Sequence, residues 1–372
     1  MKRRIARQPV LLTIGGALVA LLFSLLISSA VLKLSHAEPI DVFREVVKYG
    51  RKPNQLVNMI NKSTGYYLSA IAVAIGFRMR LFNIGVDGQY RLAAMLAAAL
   101  GAAVSLPAAI HVPFVILTAM AIGAVWAGLA AVLKVTRGVS EVISTIMLNA
   151  IAGSIVAYLL NTDRLAVQVA GSSNIGTRPL PGSARVPGLN LISGSDNKVF
   201  GLVLLAVAVG IGYSVLLNRT RFGFDLRATG LSPSAAVASG VNVRRMVVIA
   251  MLLSGAVAGL VGMPQLLGAS YSYSLDFPAG IGFTGIAIAL LGRNHPIGMA
   301  FGALLWAFLE ESSQILDLLS VSPEIVKIIQ GTVVLTVVVV YELVRRFSLA
   351  QQQRVVGEQL SSDESLPAGA TA

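Results

Sequence analysis

The sequence contains no cysteine, which excludes disulfides and thiolate metal centres. It has only three histidines, His36, His111 and His295, far apart in the chain. Metal ligands cluster, so no metal site is expected. Charged residues make up 12% of the chain, against about 25% in a soluble protein. The phosphate-cradling pattern G-x-x-x-x-G-K-[ST] does not occur, so ATP binding by this chain is not expected. No nucleophile–base set marks a catalytic centre either. The reading is of a chain that is not an enzyme and has no cofactor.

What the chain does have is oil. Hydrophobic residues form 55% of it, and uncharged runs recur: Val10–Leu32 and Pro113–Leu133 carry no charge over 23 and 21 residues. About 20 apolar residues span a bilayer as a helix. These runs do not alternate as barrel strands would. The fold class expected is an all-α polytopic membrane protein with about ten transmembrane helices. They are placed at 10–32, 63–78, 91–110, 113–133, 142–161, 198–217, 246–267, 279–292, 296–313 and 325–344.

The formal charge of +12 raises nucleic acid as a partner. Its distribution argues otherwise. With both termini inside, 18 of the 29 Lys and Arg residues fall on inside segments or their edges, as the positive-inside rule requires. No nucleic-acid partner is expected. Three regions follow: 1–62, an N-terminal anchor helix and outside loop; 63–345, the transmembrane domain; and 346–372, an acidic cytoplasmic tail expected to be disordered. The first span resembles a signal peptide, but its apolar run exceeds the 7–15 residues usual for that role. A retained anchor is expected. Of the outside loops, 162–197 is rich in Gly, Pro and Ser. It reads as a solvated loop or as a docking surface for an external partner.

Two spans are short and interrupted. The second runs into FNIGVDGQY, Phe82–Tyr90, and the eighth reads FPAGIGFTGIAIALLG. Gly-interrupted spans at corresponding places in two halves point to a transport pathway, because unwound backbone at membrane depth must be buried in protein or line a cavity. The halves would be 63–161 and 246–344. A polar, largely uncharged pathway is expected from Asn83, Gln89, Asn149, Gln265, Phe283 and Thr284. Asn83 and Gln89 each donate and accept hydrogen bonds; they touch a solute or merely cap helices. Asn149, mid-span, touches a solute or makes an interhelical hydrogen bond, and Phe283 stacks on a flat solute, seals a gate or simply packs.

The inside loop 218–245 has its own logic. Ser232 can cap a helix with Pro233 at its first position. Gly240 can end it in the left-handed conformation. A short Ala-rich helix on a basic loop suits a groove on a soluble partner, or is a plain surface helix.

FNIGVDGQ, GVSEVISTIMLN, LRATGLSPSAAVASGVNV, LLSGAVAGLVG and GFTGIAIALLGRNHPIG occur in this order. Together, over roughly residues 60–345, they resemble the permease subunits of bacterial nucleoside-type ATP-binding cassette importers. That group lies within the ribose and branched-chain amino-acid permeases. The resemblance implies an inner-membrane subunit that works by alternating access. Its implied partners are a cytoplasmic ATPase, a second and different permease chain and an extracytoplasmic solute-binding protein. It places Ser232, Pro233, Ala235, Ala236 and Gly240 on a coupling helix that docks on the ATPase, although the Glu that starts the wider family's motif is missing here. The alternatives are a simple-sugar permease of the same type and an ion-coupled secondary transporter. The latter usually carries carboxylates at mid-membrane.

Overall fold

The computed structural model describes residues 19, 22–168, 174–318, 321–322 and 324–364. The first turns of the first expected span, and the end of the tail, lie outside the described residues. The chain runs α1 (Leu22–Leu34), α2 (Pro39–Gly50), α3 (Pro53–Phe77), α4 (Val86–Ala103), α5 (Ala108–Arg137) and α6 (Glu141–Leu159). A small hairpin follows, β1 (Ala166–Gln168) antiparallel to β2 (Ile175–Thr177), with Val167 opposite Gly176. Then come α7 (Val203–Arg219), α8 (Arg221–Leu231), α9 (Pro233–Ala238), α10 (Val243–Leu260), α11 (Met263–Gln265), a π-turn at Leu266–Ser270, α12 (Ile281–Leu291), α13 (Pro296–Ser312), α14 (Gln314–Leu318) and α15 (Glu324–Glu364). The described residues up to 45 and from 313 onward form one compact unit, and the described residues within 46–312 the other.

Among the described residues, Ala108–Arg137, Glu141–Leu159, Val243–Ser270 and Glu324–Val344 are each long and apolar enough to cross a bilayer. Helices α7 and α8 pass the same test together but bend by 73° at their junction. This is a multi-pass, all-α membrane protein.

Several boundaries differ from expectation. α3 starts at Pro53, ten residues before the expected span, with Pro at its first position after an extended Lys52. Its early turns are polar, and hydropathy does not register them. Asn54, Asn58 and Asn61 recur on one face and grip the chain at 195–200. Asn54 Oδ1 accepts from Ser195 Oγ (2.8 Å) and Asp196 N (2.9 Å), Asn58 Oδ1 from Asn197 Nδ2 (2.9 Å) and Asn61 Oδ1 from Phe200 N (2.8 Å). Beside them Lys62 pairs with Glu311 at 2.9 Å. The break between α4 and α5 falls at 104–107, where Pro107 precedes α5, and Pro113 lies inside that helix. α12 has 11 residues, about 16 Å of helix, too short to cross alone. α15 continues to Glu364, so helix extends past residue 346 into the acidic tail.

In the larger unit, one core cluster joins Ile71, Val73 and Ile75 of α3 to Ala250 and Met251 of α10 and Met299 and Ala303 of α13. A second joins Tyr90 to Ala98 of α4 with Val115 and Ala119 of α5 and with Leu260, Leu266 and Leu267. A close seam runs between α5 and α10. A Cβ on Gly255 would lie 2.3 Å from the Gly123 carbonyl oxygen, and one on Gly259 2.1 Å from that of Ala119. Close backbone approach through small residues is how membrane helices gain packing when lipid is as apolar as their side chains.

Candidate functional site

α3 ends in a tight turn and the chain re-enters a helix only at Val86. That break frees backbone groups, and amide side chains collect them. Asn83 is 1% exposed and Gln89 1%, and the two are bonded face to face. Asn83 Nδ2 donates to Gln89 Oε1 (3.0 Å), and Gln89 Nε2 donates to Asn83 Oδ1 (2.9 Å). Asn83 also donates to Ser254 Oγ (2.8 Å) and accepts from Gly85 N (3.1 Å). Ser254 Oγ in turn donates to the Ala72 carbonyl (2.6 Å). Asn149 of α6 bridges the same break: Nδ2 donates to the Ile84 carbonyl (2.8 Å), and Oδ1 accepts from Gly88 N (2.8 Å). The polar cluster in FNIGVDGQY is thus a buried network that lets a helix break inside an apolar bundle.

The second break, residues 261–280, is handled differently. Pro264 occupies the single turn α11, the π-turn follows, and Tyr271 sits at φ 53. The freed backbone is paired by other backbone. Val186 N donates to the Leu267 carbonyl (2.8 Å), Leu180 N to that of Tyr271 (2.7 Å) and Thr177 N to that of Tyr273 (2.8 Å). The loop after α6 is therefore a folded cover on this break. His111, fully buried, pins it to α4 through Ser183 Oγ (2.9 Å) and the Gly101 carbonyl (2.9 Å).

The two breaks meet at Asp87. This residue lies in the first turn of α4 and is 7% exposed. Its Oδ1 accepts from Gly282 N (3.2 Å) in the first turn of α12, and Arg91 stands 4.0 Å from Oδ2. A Cβ on Gly282 would lie 2.2 Å from Asp87 N, so only glycine permits this approach. Ser69 adds a bond to the Ile281 carbonyl at 2.9 Å. One carboxylate thus faces two positive helix ends, which it stabilises by charge as well as by hydrogen bonding. Asp87 was not among the expected site residues. Its position within FNIGVDGQY was the available signal.

The expected pathway residues separate into two groups. Asn83, Gln89 and Asn149 are gathered at the first break, with their amides engaged in the chain. Gln265 and Thr284 are half-buried and Phe283 is 51% exposed at the second break and on α12; they are not part of that amide network.

The loop between α7 and α10 is built from caps. Thr220 Oγ1 accepts from Gly223 N (3.0 Å), Ser232 Oγ from Ala235 N (3.3 Å) and Asn242 Oδ1 from Arg245 N (3.0 Å). Pro233 opens α9, and Gly240 follows it at φ +82, as the sequence leads one to expect. Ala236 is 3% exposed, the position of this short helix turned toward the rest of its own chain. The outward residues are Pro233, Ala235 and Gly240. Leu231 and Val237, 75% and 60% exposed, extend that face with apolar surface that the residue pattern did not single out.

An all-helical membrane chain with two interrupted helices meeting end to end and a capped loop carried outside the bundle is built as a transport pathway component. Residues 55–338 match the family described as branched-chain amino acid transport system / permease component, and the chain belongs to that family. It is 33% identical to the guanosine ABC transporter permease protein NupP of Bacillus subtilis, over 88% of this chain and 90% of that one. It is 29% identical to the glucose ABC transporter permease protein TsgB13 of Haloferax volcanii (88% and 87% covered). It is also 29% identical to the nucleoside ABC transporter permease protein NupB of Lactococcus lactis (87% and 90% covered). The family's members are permeases and not catalysts.

Proposed function

We propose that this chain is the permease subunit of an importer that moves nucleosides across a bacterial inner membrane by alternating access, powered by a separate ATPase. The observation that carries this is the 33% identity to a guanosine permease along 88% of the chain. Both termini lie inside, on the basic side. The ATPase docks on α8 and α9, whose outward face combines Leu231, Ala235 and Val237 with the arginines of the same loop. A related but different permease chain completes the pathway. A solute-binding protein docks at the opposite end, where the asparagine face of α3 holds residues 195–200. Gln265, Phe283 and Thr284 are the residues proposed to meet solute, while Asn83, Gln89 and Asn149 hold the broken helix that frames it. A sugar substrate is the second reading, favoured by the 29% identity to a glucose permease.

The deciding experiment is uptake in vesicles bearing the full complex, with labelled guanosine, uridine, ribose and glucose in parallel. Saturable ATP-dependent nucleoside uptake is expected; uptake of glucose alone would replace the first reading by the second. Val237→Glu is expected to abolish ATP-driven uptake with the permease still folded, whereas Ala236→Glu, which buries an unpaired carboxylate, is expected to lower the amount of folded permease. Parental uptake by Val237→Glu would move the ATPase contact elsewhere.

A further inference from the structure

The turn between α12 and α13 is strained and doubly held. Arg293 and Asn294 sit at φ 55 and 54, a region that side-chain-bearing residues rarely adopt. The Asn294 carbonyl accepts from Arg78 Nη2 (2.7 Å) and from Tyr213 Oη (2.9 Å). Arg78 Nε also lies 3.5 Å from Tyr213 Oη, and Tyr213 is buried. A charged donor on a carbonyl is the stronger kind of hydrogen bond.

Arg78 has a second contact. It closes α3, and its own carbonyl is pressed by α8. A Cβ on Gly230 would lie 2.1 Å from Arg78 O and 3.1 Å from Met79 Cα. The last turn of α8 therefore rests directly on the backbone of Arg78, while the guanidinium of Arg78 grips the far end of α12. α12 is a single rod of 11 residues. Its other end is tied to α4 through Gly282 N and Asp87, beside the first helix break.

We propose that Arg78 is the positioning residue that carries displacement of the α8–α9 loop to α12. Motion at α8 shifts the Arg78 backbone. The guanidinium moves the Asn294 carbonyl with it, and α12, rigid along its length, delivers that motion to the junction at Asp87. The inference rests on the reading of α8 and α9 as the ATPase-docking loop. The strain at Arg293 and Asn294 suits the role, because a turn held in a rare conformation by two outside donors responds when either donor moves.

The test uses the assembled complex of this permease with its ATPase and partner permease. Nitroxide labels at Leu290→Cys on α12 and Leu129→Cys on α5 report the movement of α12 against the α5–α10 seam. In the parental chain the distance between them is expected to change between nucleotide-free and ATP-trapped complexes. Arg78→Met is expected to abolish that change, and to lower nucleoside uptake per ATP hydrolysed at least tenfold while hydrolysis continues. Arg78→Lys, which keeps the charge and one donor, is expected to restore part of both. A purely structural pin would lower the amount of complex and leave the distance change and the uptake ratio intact; that result overturns the proposal, as does a parental distance that ignores ATP. If Arg78→Met does not assemble, Tyr213→Phe removes one donor from the same carbonyl, and a two- to fivefold fall in uptake per ATP supports the relay while a parental ratio overturns it. A complex that moves no nucleoside yet shows an ATP-dependent distance lost in Arg78→Met defeats the substrate assignment and leaves the relay standing.

Discussion

The two helix breaks pose one problem and answer it in two ways. At the first, between α3 and α4, the freed backbone is taken up by side chains: Asn83, Gln89 and Ser254 close one network, and beside it Asn149 holds the Ile84 carbonyl and Gly88 N. At the second, between α10 and α12, a separate stretch of chain lies across the gap and pairs its backbone with Leu267, Tyr271 and Tyr273. The difference is in how each answer can fail. A side-chain network depends on particular amides, and one substitution orphans several buried groups at once. A backbone cover tolerates most substitutions, because every residue type supplies the same N–H and C=O.

Asn83→Ala should therefore have the largest effect. It leaves the Gln89 amide, Ser254 and Gly85 N short of partners, at about 1–3 kcal/mol for each buried group left unsatisfied. We expect a loss of roughly 3 kcal/mol or more, read as a fall in the apparent midpoint of thermal unfolding in nanodiscs. The double substitution Asn83→Ala with Gln89→Ala should cost less than the sum of the two singles, since they share one network. Additive costs would break the claim that the amides act as a unit.

Asn149→Leu comes next. It orphans the Ile84 carbonyl and Gly88 N, and about 2–3 kcal/mol is expected by the same reasoning. Thr177→Val probes the second break, where Tyr273 N donates to Thr177 Oγ1 at 3.0 Å. The backbone bond of Thr177 N to Tyr273 survives that change, so about 1 kcal/mol is expected. A loss matching that of Asn83→Ala would erase the distinction between the two breaks. Gln265→Ala should be smallest, within about 0.5 kcal/mol, and its informative readout is nucleoside uptake. Normal stability with slowed uptake places Gln265 in the pathway; parental uptake removes it.

The same contrast explains what the sequence could disclose. The capped loop was legible residue by residue, because Ser232, Pro233 and Gly240 act on their own neighbours. The position of the first break was legible in FNIG, where Asn and Gly interrupt apolar runs. Its wiring was not. Asn83 and Gln89 suit a passing solute as well as they suit each other, and only the fold brings Ser254 to Asn83 across 171 positions of chain and Asn149 to Ile84 across 65. The cover on the second break was hidden for a further reason. Backbone pairing leaves no side-chain signature, so Leu180 and Val186 read as part of a solvated Gly- and Pro-rich loop. The polar start of α3 was missed because a hydropathy pattern weighs oil, and that segment is held by asparagines. Ala236 turned inward for a reason of rotation around one turn of helix, which spacing over six residues does not fix.

The seam between α5 and α10 has one more consequence. Gly255 and Gly259 face Gly123 and Ala119 with no room for a methyl group. One turn to either side stand Met251 on α10 and Met263, the first residue of α11. A slide of about 5.4 Å in one direction would drive Met251 onto Gly123, and in the other Met263 onto Ala119. The pair is thus locked in register like a key with a stop at each end. It can tilt or swing as one block, but it cannot ratchet, so whatever gate opens during a transport stroke must open around α5 and α10 and not between them.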